Sequence, residues 1–317
     1  MKWLGTTAAV VCSLNAVAKY PERPIQYIVP FAAGGPADIV ARTISEKLSD
    51  AIGQPVVVEN KPGAGGIVGV SHGKKAKPDG YTLIQGTVST HAINKSYYPD
   101  LPYDPQQDFE PLILVTSLPS ALLVSNQVPV DTVEEFVQFL EDNPDEISFA
   151  TPGDGTSTHL LGLLFSKQLN MNIPAIPYRG STPAVQDVGA GHVTFMFDPL
   201  AASKGLVASG DIKILGMASA DRTNIAPNIP TLAEAGIKDV DLQSWQAIFM
   251  PKNTPKEIIS QLNKEINKIL NNDEIQNNFS KLGMEVKGGS PEALADLINS
   301  EIPRWKELVE HAAEISD

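Results

Sequence analysis

Apolar and polar positions along the chain follow two periods in turn. Residues 25–29, 56–58 and 81–84 are short apolar runs of strand length, and buried strands read this way. Between the first two, Pro36-Ala37-Asp38 precedes Val40, Ile44, Leu48 and Ile52 at i, i+4 spacing. Proline at a helix start costs no hydrogen bond, so the spacing predicts a helix with one core-facing stripe. Residues 61–66 then lead into a second helix before the third strand. Strands alternating with helices imply a parallel sheet covered on both faces.

The pattern changes over residues 112–124, where a long apolar run is interrupted at residues 117–120. This reads as the chain leaving a first lobe for a second. Asp131-Thr132 caps a helix over 133–140, with Glu134 and Glu135 in its positive first turn. A strand at 148–150 ends in the loop 151–157, and a helix from about Thr158 carries Leu160, Leu161, Leu164 and Phe165. Further alternation covers 173–178, 195–197 and 212–217, and residues 244–250 read as a return crossing. Ile258, Leu262, Ile266 and Ile269 mark a later amphipathic helix; two more stretches, 291–298 and 303–313, are expected on the outside. Two crossings between two α/β lobes describe a hinged clamp. Trp245 lies in the return crossing and is expected to sense closure, whereas Trp305 is expected far from the cleft.

The first residues add a compartment to this picture. Met1-Lys2-Trp3 is followed by an uncharged apolar stretch ending in Ala16-Val17-Ala18, the pattern of a secretory signal cleaved after Ala18. Cleavage removes Cys12, the only cysteine. The mature chain then has no disulfide, cysteine-ligated metal or thiol chemistry. Net charge is −13, and loss of Lys2 makes it one unit more negative. Such a surface repels nucleic acid and gives no long-range pull on anions, so an anionic ligand must be held by local donors.

Those donors are expected in the strand-to-helix loops, since open parallel sheets bind ligands beyond the carboxyl ends of their strands. Residues 30–36 hold Gly34 and Gly35 before a helix start, where exposed N–H groups accept an anion without a cationic side chain. Residues 151–157 form a second such loop with Thr151, Thr156 and Ser157 added, and the hydroxyls of Thr151 and Thr156 are expected to donate to a carboxylate. A single Gly-rich loop is more often an ordinary turn; two in two lobes favour binding. Asp38 fits either dipole stabilisation in its helix or a ligand contact, and His159 fits either packing or donation.

Three consecutive segments, residues 30–38, 53–66 and 78–83, resemble the solute receptors of tripartite tricarboxylate transporters, also called the Bug family. The resemblance continues through 150–156, 177–181, Phe197-Asp198 and 230–234 in one register. It implies a type II periplasmic binding fold, α/β, whose two lobes with mostly parallel sheets are joined by a two-segment hinge. The lobes are expected at 19–121 with 245–317, and at 122–244. By motif match, Phe31, Gly34, Gly35 and Asp38 form one jaw, and Thr151, Gly153, Thr156, Ser157 and His159 the other. Thr87, Ser89 and Thr90 follow the third strand, and Tyr178, Gly180, Ser181 and Asp198 complete the pocket from the second lobe. Leu163 departs from the family pattern, which expects an acidic residue there.

The implied ligand is a small organic carboxylate, bound by a periplasmic monomer without metal or cofactor and passed to a large and a small integral-membrane subunit. Two other classes compete. An enzyme acting on an organic acid would need a catalytic constellation, and the chain has no H-E-x-x-H or P-loop; Gly63-Ala64-Gly65-Gly66 lacks the third glycine of a dinucleotide site. A signalling receptor would use the same closure as a transport receptor.

Overall fold

The computed structural model describes residues 20–219, 221–223, 225–238, 240 and 243–313. The expected signal segment, residues 1–18, lies outside the described residues. Strands β1 (Ile25–Val29), β2 (Val56–Asn60) and β3 (Thr82–Thr87) alternate with helices α1 (Pro36–Ile52) and α2 (Ile67–Lys74). β1 pairs in parallel with both β2 and β3. The predicted stripe on α1 is a core stripe, with Val40, Ile44 and Leu48 fully buried. A π-helical turn at Ser89–Ile93 runs into α3 (Asn94–Tyr97).

β4 (Phe109–Ser125) then carries the chain across the molecule. It is one unbroken strand of 17 residues, so residues 117–120 do not interrupt it. The polar side chains of Ser117 and Ser120 are tolerated because β9 and β10 pair with the backbone at 117, β9 at 118 and 119, and β7 and β8 at 120. Beyond β4 come α4 (Val133–Asp142), β5 (Phe149–Thr151), α5 (Ser157–Gln168), β6 (Ala175–Pro177), α6 (Ser181–Gly189), β7 (Phe195–Pro199), α7 (Leu200–Ser209) and β8 (Ile212–Ala218). β5 pairs in parallel with β6 and β7. The α4 start is built as its sequence predicts, with the Thr132 hydroxyl accepting from the Glu135 N–H.

β9 (Gln243–Pro251) returns the chain, followed by α8 (Lys256–Leu270), α9 (Asp273–Lys281), β10 (Glu285–Val286) and α10 (Pro291–Ala313). The strand order is β2-β1-β3-β9-β4-β7-β5-β6. Parallel pairing occupies the two wings, and the two crossing strands pair antiparallel with each other and with their neighbours. The two separately read C-terminal stretches are one helix containing Pro303. That helix is not merely an outer layer: Trp305 is fully buried, its indole N–H donates to Glu301 at 2.7 Å, and the helix packs on β4, α3 and α5. Leu163, partly buried, packs against the apolar core, so the departure from the family pattern is accommodated by burial.

Candidate functional site

Helices α1, α5 and α6 begin around one cavity. It is lined by Phe31, Gly35, Pro36 and Ala37 from the β1–α1 loop and helix start, and by Thr87 and Ser89 after β3. Pro152, Thr156, Ser157 and Thr158 line it from the β5–α5 side, with Ser181, Asp198 and Pro199 opposite, and Ser244 and Gln246 of β9 complete the wall. The centre of a water-sized sphere can move through about 50 Å³ of it, room on the order of a few waters. Eight of the residues read from sequence meet here: Phe31, Gly35, Thr87, Ser89, Thr156, Ser157, Ser181 and Asp198. The other eight are not among its lining residues.

Asp38 is the clearest of these. Its carboxylate accepts from the Gly34 N–H at 2.8 Å, from Arg42 Nε at 2.8 Å and from Asn60 Nδ2 at 2.9 Å. Burial alone would raise its pKa, but the bonds from Arg42, Gly34 and Asn60 outweigh that and hold it below the ordinary value. Of the two roles open to Asp38, these bonds favour the structural one: it fixes the shape of the first jaw.

The second jaw is tied in the same way. The hydroxyls of Thr151 and Thr156 both lie within donating reach of the Gly153 carbonyl, at 3.0 and 2.8 Å, and 3.2 Å from each other, so each has a partner within its own loop. Thr156 also caps α5, its oxygen accepting from the His159 N–H at 3.2 Å. His159 accepts from the Gly155 N–H through Nδ1, and burial lowers its pKa, keeping it neutral. Thr156→Val is therefore expected to cost about 1 kcal/mol of stability through the lost cap, with Thr156→Ser close to wild type in urea denaturation. Equal losses for both would assign the cost to packing.

Thr90 is fully buried and donates to the Thr87 carbonyl at 3.2 Å. Tyr178 donates to Asp187 at 2.7 Å; burial and that bond push its phenol up to about 12. Gly180 precedes α6 and packs against Ala32 of the opposite lobe.

Ser244 and Gln246 escaped the sequence reading. They alternate along β9 and share the face that lines the cavity, while buried Trp245 between them joins the core. A buried relay orients Gln246: the Tyr27 hydroxyl donates to Gln85 Oε1 at 2.5 Å, and Gln85 Nε2 donates to Gln246 Oε1 at 2.8 Å. The Gln246 amide N–H₂ is thereby left as a donor. Ser89 accepts from the Ser157 N–H at 3.0 Å, and Ser157 and Ser244 hydroxyls lie 2.6 Å apart. The signal available in sequence was the polar pair two residues apart in an otherwise apolar strand.

The lobes touch over the cavity. The Ala32 N–H donates to the Arg179 carbonyl at 3.2 Å, Thr182 to the Ala33 carbonyl at 3.0 Å, and Tyr98 to the Asp154 carbonyl at 2.7 Å. Two α/β lobes closed over a cavity with hydroxyls in its wall define a periplasmic solute-binding protein, and solved proteins of that kind share the whole architecture. The chain belongs to the tripartite tricarboxylate transporter family receptors, whose profile matches residues 40–313. It is similar to Protein BugT of Bordetella pertussis, with 35% identity over 96% of this chain and 93% of that one. Among solved structures it is similar to an R. palustris protein with adipate, at 34% identity and a TM-score of 0.90 over 93% of this chain and 98% of that one. It is also similar to MatC from Rhodopseudomonas palustris with bound malate, at 33% identity and a TM-score of 0.87 over 92% and 100% of the two chains.

Proposed function

We propose that this receptor captures a small organic carboxylate between its lobes and delivers it to the large and small membrane subunits of a tripartite tricarboxylate transporter. One observation carries the reading: three helix starts from two lobes converge on a single cavity whose wall, among the described residues, holds hydroxyls, an amide and one carboxyl but no cation. Open helix N-termini stabilise an anion through N–H groups and the helix dipole. The adipate and malate held by the two R. palustris relatives belong to the same chemical class. Capture requires no chemistry, so the proposed carrier needs no cofactor.

Residues 19–121 with 245–317 and residues 122–244 are the proposed lobes. In support, β4 pairs with β9 as far as Pro119 and with β7 and β8 from Ser120 onward. A thermal-shift screen of mono-, di- and tricarboxylates tests the function. An acid at a hundredfold excess over its Kd should stabilise the fold by about 2.7 kcal/mol and raise Tm by several degrees. A panel without any shift would overturn the reading. Export is expected to remove residues 1–18, so mass spectrometry of periplasmic material should find Lys19 first; an intact N-terminus would contradict cleavage after Ala18.

A further inference from the structure

Asp198 is the one ionisable side chain on the cavity wall. It stands at the carboxyl end of β7 and is 1% exposed. Ser181 donates to Oδ1 at 3.0 Å, and Oδ2 is buried without a hydrogen-bond partner. An ionised carboxylate with one bare oxygen and no cation is costly to bury. A neutral carboxyl needs only an acceptor for its proton.

Among the described residues, nothing charged on the surrounding elements satisfies that oxygen. On α5, His159 is neutral and engaged with Gly155, and Lys167 lies in the last turn, far along the helix from Ser157. On α6, Asp187 takes the Tyr178 hydroxyl; on α7, Lys204 is exposed. β5 carries no charge, nor does β4 where it pairs with β7. Arg179, in the loop before α6, is exposed, and Arg42 of α1 is committed to Asp38. Burial pushes the Asp198 carboxyl up to about 8, the Ser181 bond offsetting part of the rise. The nearby helix starts favour the anion. A second carboxylate in the same cavity acts the other way, because two carboxylates in contact without a cation share one proton.

On the reading that the ligand is a carboxylate, we propose that Asp198 carries a proton and donates it from Oδ2 to a carboxylate oxygen of the captured acid. A carboxyl-to-carboxylate hydrogen bond then takes the place of an arginine ion pair, and the cleft admits an anion together with one proton. Capture weakens as the medium becomes alkaline.

Calorimetric titration of the mature protein with adipate, malate and citrate in turn, from pH 6 to 10, tests this. For an acid that binds, affinity should stay level to about pH 8 and then fall about tenfold per unit, because one proton must be taken up. Asp198→Asn accepts from Ser181 and donates from Nδ2 at every pH. It should lose the dependence and bind at least about tenfold more tightly than wild type above pH 9. Carbon-13 NMR of the Asp198 carboxyl reads the proton directly and needs no variant. Binding with a level or rising pH profile, or an Asp198 that titrates below pH 5 in the complex, overturns this inference alone. Failure of all three acids to bind at any pH overturns the carboxylate reading and this inference together.

Discussion

Gly180→Val is expected to weaken carboxylate capture about a hundredfold or more while each lobe stays folded. Gly180 has φ 136° and ψ 173°, a region open only to glycine, where another residue costs about 1–3 kcal/mol. A Cβ there would lie 3.0 Å from the Ala32 Cβ and 3.0 Å from the Ala32 nitrogen. That nitrogen makes the bond from one lobe to the Arg179 carbonyl of the other. Valine methyls extend beyond the Cβ, so the obstruction falls on the closed form above all. A ligand gripped by both jaws binds through the closed population, and disfavouring closure by about 3 kcal/mol lowers apparent affinity about a hundredfold. Small-angle scattering with saturating acid should show wild type compacting and the variant remaining extended. Unchanged affinity would make the contact at Ala32 dispensable.

Asp38→Ala is expected to destabilise the protein by about 3 kcal/mol at neutral pH, since it strands three donors at a mostly buried carboxylate site. Asn60 also donates to the Phe31 carbonyl, so the change reaches the jaw itself. The pH dependence has a definite sign. The Asp38 pKa is lowered in the folded chain; its stabilisation is present above its unfolded value near 4 and is lost as pH falls through the lower folded value. The gap between wild type and variant in urea denaturation should therefore shrink below about pH 4. Asp198 has the opposite sign: its raised pKa removes stability as pH climbs from about 4 towards 8. An Asp38→Ala gap as wide at pH 3 as at pH 7 would assign the loss to packing and not to the carboxylate.

Local period made the elements legible. Val40, Ile44 and Leu48 on α1 and the Thr132 cap of α4 depend on neighbours in sequence, and both fold as their spacing predicts. Residues 117–120 looked like a break because their polarity is visible in sequence and their strand partners are not. Pro303 looked like a helix boundary for a similar reason, though packing of Trp305 carries α10 through it. The loops of the cavity were legible as loops. The partners of their hydroxyls and carboxylates were not, because spacing cannot tell a group that faces a ligand from one that ties its own loop. Thr151, Thr156, Asp38 and His159 all turn inward to their loops, whereas Asp198, its Oδ2 left bare, does not. Ser244 and Gln246 were passed over because β9 was read as a crossing, and a crossing that is a strand presents a face.

The continuity of β4 has a mechanical consequence. Its ladder runs from Phe109 beside Pro251 to Val124 beside Phe195, so the lobes are joined by a leaf spring and not by a pin. Register shifts between Pro111 and Ile113 and between Leu114 and Thr116 on one side, and between Leu122 and Leu123 on the other, soften the spring without cutting it, since bulges add local twist and bend. Opening through such a strand is expected to distribute a small torsion over many peptide units, each near its resting geometry. A swing of this kind has a restoring torque and a natural limit of travel, so the angle between lobes is set by the elasticity of the backbone as much as by what the jaws hold.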